Sequence, residues 1–147
     1  MEAAGAPQPV VNDPNAFERE PSLSPDGRWL AFTSDAFGRD EVYVTSFPDA
    51  QRRRQISTTG GGTPRWRGDG RELFYLAGDT LMAVSIAEPM FSAGAPAALF
   101  RTDRLSAGFD VTQDGKRFLV VRSEEVRTTQ TVTVVQNWFA EFRQRGR

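Results

Sequence analysis

Three Asp-Gly pairs stand at Asp26-Gly27, Asp69-Gly70 and Asp114-Gly115, 43 and 45 residues apart. Aligned on them, "SPDGRWLAF", "RGDGRELFY" and "TQDGKRFLV" follow one template: a turn, a basic residue (Arg28, Arg71, Lys116), then an apolar run. Asp-Gly accepts the positive φ values that a tight hairpin demands. Short strands recurring at such a period are the signature of β-propeller blades. The register is repeated nearer the N-terminus, where "GAPQPVV" (Gly5 to Val11) echoes "GAPAALF" (Gly94 to Phe100). Pro7 to Val11 is therefore expected as the last strand of a preceding blade.

Four strands are read in each blade. The innermost end at the turns: Pro21 to Ser24, Pro64 to Arg67 and Phe109 to Thr112. The second strands, Trp29 to Phe32, Leu73 to Leu76 and Phe118 to Val121, are apolar on both faces. A sheet with one wet face would alternate instead, so these strands fit sheets stacked around an axis. Third strands such as "EVYVTSF" and "TVTVV" alternate better, and the fourth, Arg54 to Ser57 and Ala97 to Phe100, are weakest.

The expected fold is all-β, a partial propeller of about three blades of four antiparallel strands with a short C-terminal helix. Residues 1–19 hold the orphan strand and a linker, 20–61 and 62–103 are blades, and 104–136 form a three-stranded last blade. Residues 137–147 are the helix and tail, with Trp138 and Phe142 on one face.

Composition narrows the chemistry. The 147 residues include no cysteine and no histidine. No disulfide framework, thiol nucleophile or Ser-His-Asp triad can be built from this chain alone. The net charge of −1 gives no electrostatic case for nucleic acid. No window approaches the roughly 18 consecutive apolar residues of a membrane span, and no signal-peptide pattern is present. No membrane contact is expected of this segment.

"SPDGRWLAFTSDAFGRDEVYV" resembles the repeat of TolB-type, WD-like β-propellers. The longer run through "GGGTPRWRGDGRELFYL" and "LMAVSI" to "TVTVVQNWFAEF" is similar to the C-terminal propeller end of bacterial serine/threonine protein kinases and related sensor proteins. The resemblance implies a non-catalytic sensing or protein-interaction module, extracytoplasmic or periplasmic where its parent is a membrane-anchored receptor. The kinase part is missing: the chain has no Gly-rich nucleotide loop with its Lys, no HRD-like loop and no DFG. The alternatives are an accessory propeller of a serine peptidase and a periplasmic TolB-like scaffold.

No catalytic, cofactor or metal residue is assigned. The Asp-Gly pairs are explained by turn chemistry. Asp35 and Asp40 in "SDAFGRD" lack the ligand spacing of a calcium loop. "TTGGGTP" lacks the GK[ST] and helix of a phosphate loop, so its glycines suit a chain passing close to the axis. Arg65 and Arg67, alternating with Trp66 on an innermost strand, are candidates to line the channel and meet an anion or acidic partner, or equally to pair with Asp110 or remain solvated. The partner, a protein or a small ligand, is expected on the face carrying the loops 34–40, 60–62, 78–79, 103–108 and 124–129. Propellers close with about four to eight blades, more than are legible here. Either two chains complete a six-bladed ring, each Pro7–Val11 strand finishing the partner's last blade, or the chain is a piece of a longer propeller.

Overall fold

In a computed structural model, residues 6–102, 105–122 and 131–136 are described. They form three antiparallel sheets stacked as an arc, and no helix occurs among them. Blade I comprises β1 (Glu18–Leu23), β2 (Trp29–Ser34), β3 (Glu41–Ser46) and the two-residue β4 (Arg54–Gln55). In blade II, β5 (Gly62–Trp66), β6 (Glu72–Ala77) and β7 (Thr80–Ala87) are followed by β8 (Ser92–Ala93) and β9 (Ala97–Arg101). Blade III shows β10 (Leu105–Val111), β11 (Arg117–Arg122) and β12 (Thr131–Gln136).

Both β8 and β9 pair with β7, so they form one outer strand broken at residues 94–96. The Gly94 N–H still reaches the Ser85 carbonyl at 2.8 Å, while Pro96 has no N–H to offer. The C-terminal helix expected at 137–147 lies outside the described residues. Pro7 to Val11, expected as a strand, is irregular. A fourth blade strand takes its hydrogen bonds from the edge of a third strand, and none of the described strands offers that edge to residues 7–11. Val10 and Val11 instead border the outside of blade I.

Each sheet has a rear face toward the preceding blade and a forward face toward the next. Trp29, Ala31, Val42, Val44 and Ile56 form the forward face of blade I, and they meet Trp66, Leu73, Tyr75, Val84 and Ile86 on the rear of blade II. Phe74, Leu81 and Ala83 then carry the forward face of blade II onto Phe109, Phe118 and Val120 of blade III. Phe74 meets Phe118 edge-on at 5.0 Å between ring centroids. Period-2 strands with both faces apolar are thus buried from both sides, which explains why the second strands do not alternate.

The innermost strands β1, β5 and β10 run side by side, and each carries a bulge. Glu20 (φ 57°), Thr63 (φ 54°) and Gly108 (φ 99°) lie in the left-handed region, at the 43- and 45-residue spacing of the turns. The pairing register slips around each of them. For Glu20 and Thr63 this conformation costs on the order of 1–2 kcal/mol. The contacts that hold it run between blades: the Glu20 carboxylate accepts hydrogen bonds from the Thr63 N–H at 2.7 Å and the Thr63 hydroxyl at 3.0 Å.

Candidate functional site

The Asp-Gly hairpins are built alike in the outer two blades. The Ser24 hydroxyl donates to Asp26 Oδ1 at 2.6 Å and accepts the Trp29 N–H at 2.9 Å. In blade III the Thr112 hydroxyl donates to Asp114 Oδ1 at 2.5 Å and accepts the Arg117 N–H at 3.2 Å. Hydrogen bonds from Ser24 and Arg28 hold the Asp26 carboxyl down to about 2, against the opposing effect of its partial burial. Asp114 is lowered in the same way, chiefly by Thr112. These carboxylates are committed to their turns.

Blade II departs from this pattern, and the departure accounts for Arg67. Arginine occupies the place of Ser24 and Thr112, and its Nη1 donates to Glu72 Oε2 at 3.1 Å. Its Nε lies 3.5 Å from Asp69 Oδ1, so the guanidinium braces the hairpin that a hydroxyl braces elsewhere. The stem of Arg67 also crosses to blade III, where a Cβ on Gly115 would come within 3.1 Å of its Cδ. Arg67 is therefore tied to its own hairpin rather than to Asp110. Arg65, half-buried on β5, donates from Nη1 to the Pro64 carbonyl at 2.8 Å. Asp110 is exposed and accepts the Val111 N–H at 2.8 Å. No hydrogen bond or ion pair described here joins either arginine to Asp110.

The loop face expected to bind a partner is stapled to itself. Asp35 accepts the Phe17 N–H at 2.7 Å, and Asp40 pairs with Arg19. Glu41, 2% exposed, takes Arg39 Nε at 2.6 Å, the Ser57 hydroxyl and the Gly60 N–H at 3.1 Å. A Cβ on Gly61 would sit 2.8 Å from Ser57 Oγ and 2.9 Å from Tyr75 Cδ2, so the glycines of "TTGGGTP" admit a close inter-blade approach. Asp79 is paired with Arg101 at 2.6 Å. The loops expected at 103–108 and 124–129 lie partly or wholly outside the described residues.

A cleft of ≈ 580 Å³ opens instead on the Asp-Gly side, between blades I and II. The hairpins of Asp26 and Asp69 form its walls, with Trp29 and Trp66 as its floor and Ile86 to Glu88 as its third side. Both indoles are pinned: Trp29 Nε1 donates to Glu88 Oε1 at 2.9 Å, and Trp66 Nε1 to the Ser22 carbonyl at 3.0 Å. Glu88 also pairs with Arg28 at 2.9 Å, so it ties one blade to the next across the cleft. Asp26, Asp69 and Arg71 give the rim both signs of charge.

Glu88 and Phe91 are the residues that the sequence pattern passed over. The segment 88–96 reads as a surface loop, yet Phe91 is 2% exposed and packs against Trp29, with ring centroids 4.6 Å apart and planes tilted by 44°. An aromatic residue among turn formers is the one local signal of that return to the core. Among the described residues, no group of three or more acidic side chains is placed to hold a metal ion. None forms a helix long and apolar enough to cross a membrane.

No protein-family model matches the chain, and no curated protein matches it in sequence. Solved structures do match its fold. TolB from Acinetobacter baumannii superposes with a TM-score of 0.61 at 19% identity, over 80% of this chain and 29% of that one. A protein described as a TolB from Agrobacterium tumefaciens matches with a TM-score of 0.65 at 11% identity, over 88% of this chain and 48% of that one. The oligogalacturonate lyase of Vibrio parahaemolyticus matches with a TM-score of 0.53 at 18% identity, over 68% of this chain and 27% of that one. The described residues thus have the fold of a TolB-like β-propeller, and the chain spans less than half the length of these proteins. Lyase and TolB share that architecture, so fold alone assigns no activity.

Proposed function

We propose that the chain is a non-catalytic interaction module, a propeller segment whose partner docks at the cleft between the first two Asp-Gly hairpins. The observation that carries this reading is the cleft itself: a ≈ 580 Å³ recess with an aromatic floor and a rim of mixed charge. Such a recess suits a peptide segment that inserts an apolar side chain and satisfies both signs at the rim. The carboxylates of its walls each serve a turn or an inter-blade tie, and the Ser24 hydroxyl is held by Asp26.

The parent is read as a bacterial signalling protein such as a receptor-like serine/threonine kinase, with the propeller outside the cytoplasm. That reading rests on the run from "SPDGRWLAF" to "NWFAEF". The TolB-like fold favours a second reading, a periplasmic scaffold, and an accessory propeller of a serine peptidase is the third. All three place a partner on the propeller and chemistry, if any, in another domain.

Selection of a displayed peptide library against the full chain tests the module. Enriched peptides are expected to lose binding to Arg71→Glu and Asp69→Ala, with β circular dichroism retained. Peptides indifferent to both substitutions, or turnover of oligogalacturonate or peptide by the purified chain, would overturn the reading.

A further inference from the structure

The two ends of the arc break a rule that its interior obeys. Positions related by the 43- and 45-residue spacing sit alike in the sheets, so they should be buried alike. Trp66 on the rear of blade II is 8% exposed, whereas its counterpart Leu23 on the rear of blade I is 48% exposed. Phe74 on the forward face of blade II is fully buried, whereas its counterpart Leu119 in blade III is 43% exposed. Each exposed leucine faces the side where the arc stops. Among the described residues no blade packs on either leucine, and their place in the blade does not account for the exposure.

We propose that the faces carrying Leu23 and Leu119 are the halves of one interface between copies of this chain. The forward face of blade III in one copy packs on the rear face of blade I in another, and two chains close a six-bladed ring. The internal interface supplies the pairing. Phe74 of blade II meets Phe118 of blade III at 5.0 Å, and the repeat maps that pair onto Leu119 of one copy and Leu30 of the other. On the forward face Leu119 pairs across the sheet with Asp110, which is exposed as well.

The rear face of blade I shows what stands in for a neighbour. Phe32 and Tyr43 are each 3% exposed although none of the described blades covers them. The Arg53 guanidinium lies over both rings, 5.2 and 4.3 Å from their centroids, and residues 10–14 edge a groove of ≈ 330 Å³ alongside. A second copy is the occupant that fits, because its forward face repeats the one that blades I and II each present to the next blade of the same chain. A head-to-tail contact that closes after two copies gives a discrete dimer rather than a filament.

The absence of cysteine makes the pairing directly readable. Chains carrying Leu30→Cys and Leu119→Cys are purified separately, mixed, oxidised mildly and run on a non-reducing gel. A cross-linked dimer is expected in the mixture and in neither variant alone. Adding Leu23→Arg to the Leu30→Cys chain is expected to abolish its cross-link with Leu119→Cys while β circular dichroism is kept. A dimer from Leu119→Cys alone would overturn the proposal in favour of a face-to-face contact. No cross-link in the mixture or in a Leu30→Cys/Leu119→Cys double variant would overturn it too, and would assign these two faces to further blades of a longer protein.

Discussion

The Glu20 carboxylate of the first blade accepts the Thr63 N–H of the second at 2.7 Å, and both residues sit at positive φ. Thr33 adds a hydroxyl donor to the same carboxylate at 2.7 Å. One carboxylate therefore holds two strained bulges in place and joins two blades beside the axis. Removing its charge should weaken the whole arc. Glu20→Gln is expected to lower stability by about 1–3 kcal/mol, read as a fall in the urea midpoint at neutral pH. An unchanged midpoint would mean that the bulges hold themselves.

The same carboxylate bears on acid stability. Burial pushes the Glu20 carboxyl up, but hydrogen bonds from Thr33 and Thr63 outweigh it and hold it below the ordinary 4.5. Asp26, at about 2, and Asp114 are depressed from 3.8 by Ser24 and Thr112 respectively. A group whose folded value is depressed stabilises the fold above its unfolded value, and that contribution fades as pH falls through the folded one. Stability should be level above about pH 5 and decline from there toward pH 2. Glu20→Gln and Asp26→Asn should each flatten the decline, as thermal melts across that range would report.

Packing makes a sharper comparison. Phe74 and Leu119 hold the same place in successive blades, one fully buried and the other 43% exposed. Phe74→Ala should cost about 3–5 kcal/mol, because it empties the contact with Phe118. In dilute solution Leu119→Ala should change stability by no more than ~0.5 kcal/mol. Equal losses in chemical denaturation would refute the assignment of faces.

Two glycines separate close approach from backbone strain. A Cβ on Gly68 would lie 2.7 Å from the Gln113 carbonyl oxygen of blade III, a backbone atom that cannot swing away. Gly78, at φ +60°, has nothing within 4 Å of such a Cβ. Gly68→Ala should therefore lower stability by about 1–3 kcal/mol through a forced inter-blade shift, whereas Gly78→Ala should cost only ~1 kcal/mol of strain. The two melting temperatures rank the effects.

Arg53 gives the last comparison. Its planar cation shields Phe32 and Tyr43, so Arg53→Ala should lower stability by about 1 kcal/mol and raise binding of a dye that reports exposed apolar surface. Arg53→Lys keeps the charge but loses the flat stacking surface, and should fall between the two.

The blades were legible in the sequence because their marks are local. A hairpin turn needs Asp-Gly, and a strand buried on both sides needs an unbroken apolar run, so period, strand order and the glycine approach at 60–62 all show in the letters. What did not show depends on neighbours. Arg67 reads as a channel residue until Glu72 and Asp69 are seen to hold it, and Phe91 reads as loop until the Trp29 ring receives it. The bulges at Glu20 and Thr63 are kept by a bond across 43 residues, which no local propensity reveals. Pro7 to Val11 carries the letters of an outer strand, but a strand forms only against an edge, and none of the described strands pairs with it. The recess was not legible for a related reason: it lies on the turn side, between hairpins 43 residues apart, while the loops of 34–40 and 60–62 spend their polar groups on one another.

The central claim is that one inter-blade interface recurs through the arc and is left half-made at both ends. Light scattering on the purified full chain, run beside Leu119→Arg over a range of concentrations, measures it most directly. The account predicts a discrete species of twice the 16.3 kDa chain mass that reverts to the monomer in Leu119→Arg with its sheet content intact. A parent chain that stays monomeric at every concentration, or a dimer indifferent to Leu119→Arg, would contradict it.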